Sequence, residues 1–363
     1  MTSVRLPLLP RREAELTTCA YCPKLCRAAC PVADVEASET LTPWGKMSLA
    51  WFAARGSVPL SESVAASAFA CTGCLACQAR CDHKNPVALT LLEARAAVRA
   101  AGFGHEAAER IDLEEVAARR AAGLRALAER EGVDPGARTA LLLGTAYLTR
   151  ELDAARAAIA VVSRLLGPVR LLHASGGEVE RGVGMRAEAD AAEAALLSEA
   201  AGLRVIVLDP GCMTSALRAA GALTVVELVA ERLAELTPVP ALATGVWRWH
   251  DPCRLGRGLG VYDEPRAILT RLTGRPPLEF SRAREAAVCS GAGGLLPITM
   301  PEASRGIAEA RLGDHERLGG GTVVTACASS VRRFRASGAA VVDLVELVAQ
   351  GLPAGRPLPT QGQ

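Results

Sequence analysis

The stretch Cys71-Thr-Gly-Cys74-Leu-Ala-Cys77-Gln-Ala-Arg-Cys81 decides how the first part of this chain folds. Its four cysteines follow the spacing C-x2-C-x2-C-x3-C, in which three thiolates bind one [4Fe–4S] cube and the fourth binds another. A cube needs four sulfurs in a tetrahedral array, and a short loop wraps three corners but cannot turn back to the last. The spacing therefore predicts two cubes that share ligands with a second cysteine run.

That second run lies upstream and reads Cys19-Ala-Tyr-Cys22-Pro-Lys-Leu-Cys26-Arg-Ala-Ala-Cys30-Pro. It has one residue more than the usual spacing between its second and third cysteines, and it closes with the Cys-Pro pair of bacterial ferredoxins. The fourth cysteine of each run then binds the cube that the other run holds, which assigns four ligands to each cube. The predicted ligands are Cys19, Cys22, Cys26 and Cys81 for cluster 1, and Cys71, Cys74, Cys77 and Cys30 for cluster 2.

Zinc is the alternative occupant, because paired C-x2-C units also suit a tetrahedral structural zinc site. Two complete four-cysteine runs, with a third cysteine close behind each pair, favour cubes. His83 and Lys84 follow the last ligand and could donate hydrogen bonds to cluster sulfur, although residues in such positions are more often only solvated.

Length and composition narrow the class of protein. The chain has 363 residues, of which 50% are hydrophobic and 3% aromatic, and its net charge of +2 predicts no attraction to nucleic acid. It has no apolar run long enough to span a membrane, and residues 6–9 are too short for a signal peptide core. We predict a cytoplasmic protein, peripheral to a membrane at most through a partner, whose cysteines are not disulfide-bonded.

Five segments are predicted from the changes of pattern along the chain, which together indicate an α+β and α/β multidomain protein. They are a helical two-cluster ferredoxin-like module at 13–102, a connecting helix at 103–138, α/β repeats at 139–238 and 239–352, and a flexible tail at 353–363. From residue 140, short aliphatic runs alternate with amphipathic helices, as buried parallel strands do. These predicted strands are 141–143, 169–172, 205–208, 246–249 and 323–324.

Motifs in the second repeat resemble the cysteine-rich (CCG) domain family. The motifs are His250-Asp-Pro-Cys253, Val261-Tyr-Asp-Glu-Pro-Arg266, Cys289-Ser-Gly-Ala-Gly-Gly294 and Thr325-Ala-Cys327. With the two-cluster module before it, the chain resembles the iron–sulfur subunits of heterodisulfide reductase and of glycolate oxidase. The resemblance covers about residues 17–350 and implies two CCG repeats, each with its own place for a cluster.

The second repeat keeps only part of the family's ligand set. The resemblance implies that Cys253, Cys289 and Cys327 could hold a third iron–sulfur cluster. Ser290 occupies the second place of the family's Cys-Cys pair, and Ser330 the last place of its C-x2-C.

The missing ligand of that third cluster could come from Cys212 or His250. In the first repeat Thr145 and Ser175 stand where the family has cysteines. That repeat is therefore expected to be a scaffold that has lost its cluster. These departures also place the family's disulfide-reducing chemistry in question.

The function predicted from these features is electron transfer within an oxidoreductase complex. The chain has no flavin or nicotinamide motif, so a partner subunit, flavin-dependent by resemblance, would oxidise the substrate and a quinone or another acceptor would receive the electrons. No catalytic residue is assigned. Two alternatives stay open: a reductase with its own catalytic cluster in the second repeat, and a metal-binding scaffold without redox activity.

Overall fold

Residues 6–353 form a helical N-terminal part followed by two α/β halves, in a computed structural model of the chain. Apart from residue 353, the predicted flexible tail lies outside the described residues. The helices of the first part are α1 (Leu9–Ala20), α2 (Pro31–Glu36), α3 (Pro43–Arg55), α4 (Glu62–Phe69), α5 (Ala76–Ala79), α6 (Val87–Ala100), α7 (Glu106–Glu109) and α8 (Leu113–Ala128).

Helix α3 shows how local sequence sets these elements. The hydroxyl of Thr42 accepts a hydrogen bond from the N–H of Gly45 at 3.0 Å, and Pro43 occupies the first helical position, where no N–H is needed. Gly56 ends the helix with φ 73°, in the left-handed region that glycine adopts without strain. The helix then packs against α1, α4 and α6 in the N-terminal core.

The prediction of one connecting helix at 103–138 is wrong. The segment contains the two helices α7 and α8, separated at residues 110–112. The break arises because the carboxylate of Asp112 accepts a hydrogen bond from the N–H of Glu115 at 3.0 Å and so begins a new helix. Only the second helix is anchored by buried leucines, Leu124 and Leu127.

Each α/β half contains a four-stranded parallel sheet. The order is β2-β1-β3-β4 in the first half and β6-β5-β7-β8 in the second. The strands are β1 (Thr139–Leu142), β2 (Val169–Leu171), β3 (Arg204–Val207), β4 (Leu223–Thr224), β5 (Trp247–Trp249), β6 (Leu278–Glu279), β7 (Thr322–Thr325) and β8 (Val341–Asp343). The five predicted strands overlap β1, β2, β3, β5 and β7, whereas β4, β6 and β8, of two or three residues each, were not predicted.

Helices cover both sheets. They are α9 (Thr145–Arg150), α10 (Leu152–Leu166), α11 (Glu178–Val183), α12 (Arg186–Ala200), α13 (Ser215–Ala219) and α14 (Val225–Glu231) in the first half, and α15 (Gly256–Leu259), α16 (Asp263–Thr273), α17 (Leu296–Thr299), α18 (Pro301–Arg317), α19 (Ala328–Ala336) and α20 (Leu344–Gly351) in the second. The two sheets have the same strand order, while the description of the first half as a second CCG repeat stays a prediction. No helix within residues 6–353 is long and apolar enough to cross a membrane.

A buried hydrogen bond joins the two halves. The hydroxyl of Tyr147 on α9 donates to the carboxylate of Asp343 at 2.7 Å, and Asp343 also accepts from the N–H of Val345 at the start of α20. Burial raises the pKa of Asp343 to about 7. At pH values between the ordinary pKa of an aspartate and this raised value, Asp343 is protonated in the folded chain and ionised in the unfolded chain.

This raised pKa predicts how stability depends on pH. The contribution of Asp343 to the free energy of unfolding is present below about pH 4 and is lost as pH rises toward about 7. Asp343→Asn keeps the helix cap and the acceptor for Tyr147 but cannot ionise. We expect the thermal midpoint of the variant to fall less than that of the unaltered chain between pH 5 and pH 8. Parallel pH profiles of the two proteins would contradict the prediction.

Candidate iron–sulfur site

The four cysteines predicted for cluster 1 lie together. The pKa of the Cys19 thiol is raised to about 12, chiefly by burial and further by the nearby thiolates of Cys26, Cys22 and Cys81. All four border one cavity of about 90 Å³. Cys19 comes from α1, and Cys22 and Cys26 come from the loop after it. Cys81 comes from the end of the second run. The structure therefore brings the fourth cysteine of the second run to the first run, as the predicted exchange of fourth ligands requires.

The four cysteines predicted for cluster 2 border a neighbouring cavity. Burial raises the pKa of the Cys77 thiol well above its ordinary value, and the thiolates of Cys74, Cys71 and Cys30 add to the effect. Cys77 also borders the cavity of the first group. The two groups of thiolates are therefore adjacent.

The loop of the second run curls because two of its residues adopt left-handed conformations. Gly73 has φ 67° and Leu75 has φ 62°. Glycine adopts this conformation without strain, whereas for leucine it costs about 1 to 2 kcal/mol of free energy. The N–H of Gly73 donates to the sulfur of Cys71 at 3.4 Å. The turn lets three thiolates of one short segment face the same cavity.

Two polar residues that the sequence did not reveal contact cysteine sulfur. The side-chain amide of Asn85 donates to the sulfur of Cys19 at 3.0 Å, and the ammonium of Lys46 donates to the sulfur of Cys30 at 3.5 Å. These pairs are 66 and 16 residues apart in the chain, so no local pattern links them.

His83 and Lys84, the two residues predicted as neighbours of cluster sulfur, have different surroundings. His83 borders the cavity of the first group. The ammonium of Lys84 donates to the carbonyl of Ala79 at 3.0 Å instead of to a cysteine. A hydrogen bond from either residue to cluster sulfur stays a prediction.

The chemistry of the donor sets fits iron–sulfur cubes. Each cavity is bordered by all four of the cysteines predicted for it, and cysteine thiolates are the usual ligands of such clusters. Within residues 6–353 no three Cys, His, Asp or Glu side chains lie close enough together to hold a single metal ion. This finding concerns one-ion sites, because thiolates bound to the separate corners of a cube lie farther apart than those around one ion.

Three further cysteines meet near the carboxyl edge of the second sheet. Cys253 follows β5 and Cys327 follows β7, the two central strands, and this edge is where open parallel sheets bind ligands. A hydrogen bond from the thiol of Cys289 lowers the pKa of Cys253 and is the largest cause of a lowered pKa at Cys74. The pKa of Cys289 itself is raised well above its ordinary value by the same two contacts.

Cys327 completes the third group. Its thiol has a pKa raised to about 12, chiefly by burial and also by the nearby carboxylate of Asp209 and thiolate of Cys253. The two serines that replace family cysteines are also there, with the hydroxyls of Ser290 and Ser330 2.9 Å apart. The positions of the lost ligands are therefore adjacent and are satisfied by a hydrogen bond with each other.

Within residues 6–353, neither of the two residues proposed as extra ligands makes a hydrogen bond to the three cysteines. The ring of His250 packs edge-on against Phe280 and Phe334 and accepts a hydrogen bond from Arg311 at 3.4 Å. Cys212 lies in the first half, where burial raises the pKa of its thiol well above the ordinary value. Within the described chain, the hydrogen bonds of His250 go to residues other than cysteine.

Backbone contact joins the second run to the loop that carries Cys289. A Cβ atom on Gly294, which has φ 62°, would lie 2.1 Å from the carbonyl oxygen of Cys71, and one on Gly293 would lie 2.4 Å from that of Thr72. The guanidinium of Arg257 donates to the carbonyl of Cys74 at 2.7 Å. Only glycine permits this approach, which brings Cys74 within reach of Cys289.

Comparison with known proteins bears on the first two of these cysteine groups. Residues 15–85 match the family described as "4Fe-4S dicluster domain". The chain carries a dicluster iron–sulfur domain. Residues 247–330 match the family described as "Cysteine-rich domain", so this domain follows the dicluster domain in the same chain. The two matches confirm the resemblance to CCG-domain iron–sulfur proteins and the helical and α/β parts of the predicted fold.

The chain is similar over part of its length to proteins of several oxidoreductases. Over 111 residues, 29% of this chain, it is 34% identical to a subunit of dihydromethanophenazine:CoB--CoM heterodisulfide reductase of Methanosarcina mazei, of which the match covers 27%. It is 42% identical over 69 residues to EtfAB:quinone oxidoreductase of Syntrophomonas wolfei, covering 19% of this chain and 10% of the relative. It is 33% identical over 107 residues to a subunit of fumarate reductase (CoM/CoB) of Methanothermobacter marburgensis, covering 29% and 20%.

Proposed function

We propose that this chain is the iron–sulfur electron-transfer subunit of an oxidoreductase complex. The observation that carries the proposal is the unbroken succession of thiolates through the molecule. Cys77 borders both cavities of the dicluster domain, and the thiol of Cys74 lies close enough to that of Cys289 in the cysteine-rich domain for each to shift the pKa of the other. When bound, the clusters would supply one-electron redox centres, and the chain's own residues hold those centres side by side.

The entry point for electrons is proposed to be the surface over cluster 1. Tyr21 and Leu25 lie between cysteines of the first run and are 77% and 60% exposed. Large exposed apolar side chains of this kind mark places where a partner docks. The ring of Tyr21 packs edge-on against Trp51, with centroids 5.9 Å apart, so the exposed ring is held in place.

The partner is proposed from the relatives' names. They include an EtfAB:quinone oxidoreductase and subunits of heterodisulfide and fumarate reductases. By analogy with these relatives, we propose a flavin-dependent dehydrogenase as the electron donor and a quinone or another carrier as the acceptor. The matched stretch covers about a quarter or less of each relative, so donor and acceptor are part of the proposal.

A third cluster is part of the proposal, held by Cys253, Cys289 and Cys327. Electrons would pass from cluster 2 to this site across the contact between Cys74 and Cys289. A rival function, in which the third site itself reduces a small acceptor, is favoured by one observation. A surface cleft lined by Arg80 and Arg282 reaches Cys289, so a small molecule has a route to this site.

Metal and sulfide analysis tests these proposals on the complete chain prepared anaerobically. Two cubes give about eight iron and eight sulfide per chain, and a third cluster brings both to about twelve. Zinc without sulfide would instead support the alternative of a metal-binding scaffold without redox activity. Turnover of a disulfide or another small acceptor by the isolated chain with an artificial donor would favour the reductase.

Replacing Cys289 with alanine isolates the third site. We expect Cys289→Ala to lose about four iron atoms, because one of three thiolates of that cluster is removed. Cys212→Ala is the matched control, since it also removes a buried cysteine of the α/β part but one outside the three groups; its iron content should not change. Equal iron in Cys289→Ala and the unaltered chain would refute the third cluster and leave the dicluster domain unaffected.

A further inference from the structure

Three cationic side chains surround cluster 2, and each approaches a different ligand. The ammonium of Lys46 lies 3.5 Å from the sulfur of Cys30. The guanidinium of Arg95 donates to the carbonyl of Cys71 at 2.9 Å, and that of Arg257 to the carbonyl of Cys74 at 2.7 Å. The protein therefore places positive charge beside three of the four cysteines predicted to hold one cluster.

The first two of these cations are buried without an acidic partner. Lys46 and Arg95 are each 1% exposed. Within residues 6–353, the hydrogen bonds of Arg95 go to backbone carbonyls, and that of Lys46 goes to the sulfur of Cys30. A buried charge is costly unless an opposite charge compensates it. The anionic group nearest to both side chains is the set of cluster 2 thiolates and whatever they bind.

Cluster 1 has neutral neighbours instead. The group that donates to Cys19 is the amide of Asn85. At Cys26 the neighbours that lower the thiol pKa are the backbone N–H groups of Cys26 and Trp44. Both clusters thus receive hydrogen bonds, but among residues 6–353 buried positive charge lies only beside the ligands of cluster 2.

We infer that Lys46, together with Arg95 and Arg257, gives cluster 2 a more positive reduction potential than cluster 1, so that electrons collect beside the cysteine-rich domain. Net charge and hydrogen bonds to sulfur set the potential of such clusters, and an added electron is favoured near a buried cation. Exclusion of water from cluster 2 acts in the opposite direction, and the inference is that the three cations have the larger effect. The inference rests on the proposed function.

Electron transfer between the two clusters involves a single electron and no other change. With clusters held by the two cysteine groups, one electron would pass from the group of Cys19, Cys22, Cys26 and Cys81 to the group of Cys30, Cys71, Cys74 and Cys77, so that the first cluster would be oxidised and the second reduced by one electron. No bond forms or breaks and no proton moves. The proposed partner oxidoreductase supplies the electron to cluster 1, and the difference in potential makes the step toward cluster 2 downhill. Lys46 acts through Cys30 and is a positioning and tuning residue.

The order of the two potentials in the unaltered chain is the first test. A redox titration followed by electron paramagnetic resonance resolves two reduction steps, and the signal that persists in Cys22→Ala is assigned to cluster 2. We expect cluster 2 to be reduced at the more positive potential. Equal potentials or the reverse order would overturn the inference while leaving electron transfer intact. A chain that binds no cluster would instead refute the proposed function.

Substitution of Lys46 is the second test. Lys46→Gln keeps a donor without the charge, and Lys46→Met removes both. We expect a tenfold or larger loss in the equilibrium constant for reducing cluster 2, a shift of about 59 mV to lower potential, with cluster 1 little changed. Arg55→Gln is the control: it also removes one positive charge, but from an exposed residue at the end of the same helix, α3, where water and salt screen the charge, and it should shift neither potential.

The pattern across the variants separates the causes. A shift in Lys46→Met but not in Lys46→Gln would assign the effect to the hydrogen bond and overturn the role of charge. Equal shifts in both clusters would also overturn it, since a general loosening of the module moves both. If a Lys46 variant fails to hold cluster 2, the order of potentials in the unaltered chain still decides the question.

Discussion

A chain that carries both Cys22→Ala and Cys81→Ala should lose only one of the two [4Fe–4S] signals of its dicluster domain. The two residues belong to different runs but border the same cavity, so each change alone already removes cluster 1. The second change then has nothing further to remove. If each run held its own cube, the same double variant would lose both signals.

The control for crossed ligands has the opposite outcome. Cys22→Ala with Cys30→Ala alters two cysteines of the same run, but Cys30 borders the other cavity together with Cys71. We expect this double variant to lose both clusters, measured as spins per chain after reduction and as iron and sulfide. One remaining cluster in the control and none in the first double variant would show that the ligands are not crossed.

Cysteine grouping was predictable from the sequence because it follows from local spacing. Three thiolates within seven residues can wrap only three corners of a cube, so the fourth ligand must come from elsewhere. The structure brings Cys81 to the first run and Cys30 to the second accordingly. The parallel strands β1, β3 and β7 were predictable for a similar reason, since each is a short buried aliphatic run.

Contacts that depend on distant parts of the chain were not predictable. Lys46 lies on a helix that contributes no ligand, and nothing in its neighbourhood shows that its ammonium reaches Cys30. The pairing of Ser290 with Ser330 likewise appears only when the two loops are adjacent. The connecting helix was predicted wrongly because periodicity hides a break that one capping aspartate, Asp112, imposes.

The contact between the dicluster and cysteine-rich domains depends on Arg95. Its guanidinium donates five hydrogen bonds, to the carbonyls of Ala68 at 3.0 Å, Phe69 at 3.4 Å, Cys71 at 2.9 Å, Gly182 at 3.1 Å and Gly294 at 2.9 Å. These acceptors come from the helical module and from both α/β halves. One buried side chain therefore holds three parts of the molecule against each other.

Arg95→Met should be the most destabilising substitution outside the cysteines. It leaves several buried carbonyls without donors, each costing about 1 to 3 kcal/mol, so we expect the free energy of unfolding to fall by about 4 kcal/mol or more. The thermal midpoint of the chain with its clusters measures the effect. Arg95→Lys should recover only part of the loss, because an ammonium has three donors and lacks the planar fork.

Arg99→Met is the matched control, one turn further along α6. Arg99 is only partly buried, and its contacts are long, 3.4 Å to the carbonyl of Val183 and 3.9 Å to Glu109. We expect its loss to cost no more than about 1 kcal/mol. Hydrogen exchange should separate the two variants: only Arg95→Met should lose protection both at residues 178–184 and at 291–296. Equal stability of the two variants would mean that packing, and not this guanidinium, holds the domains together.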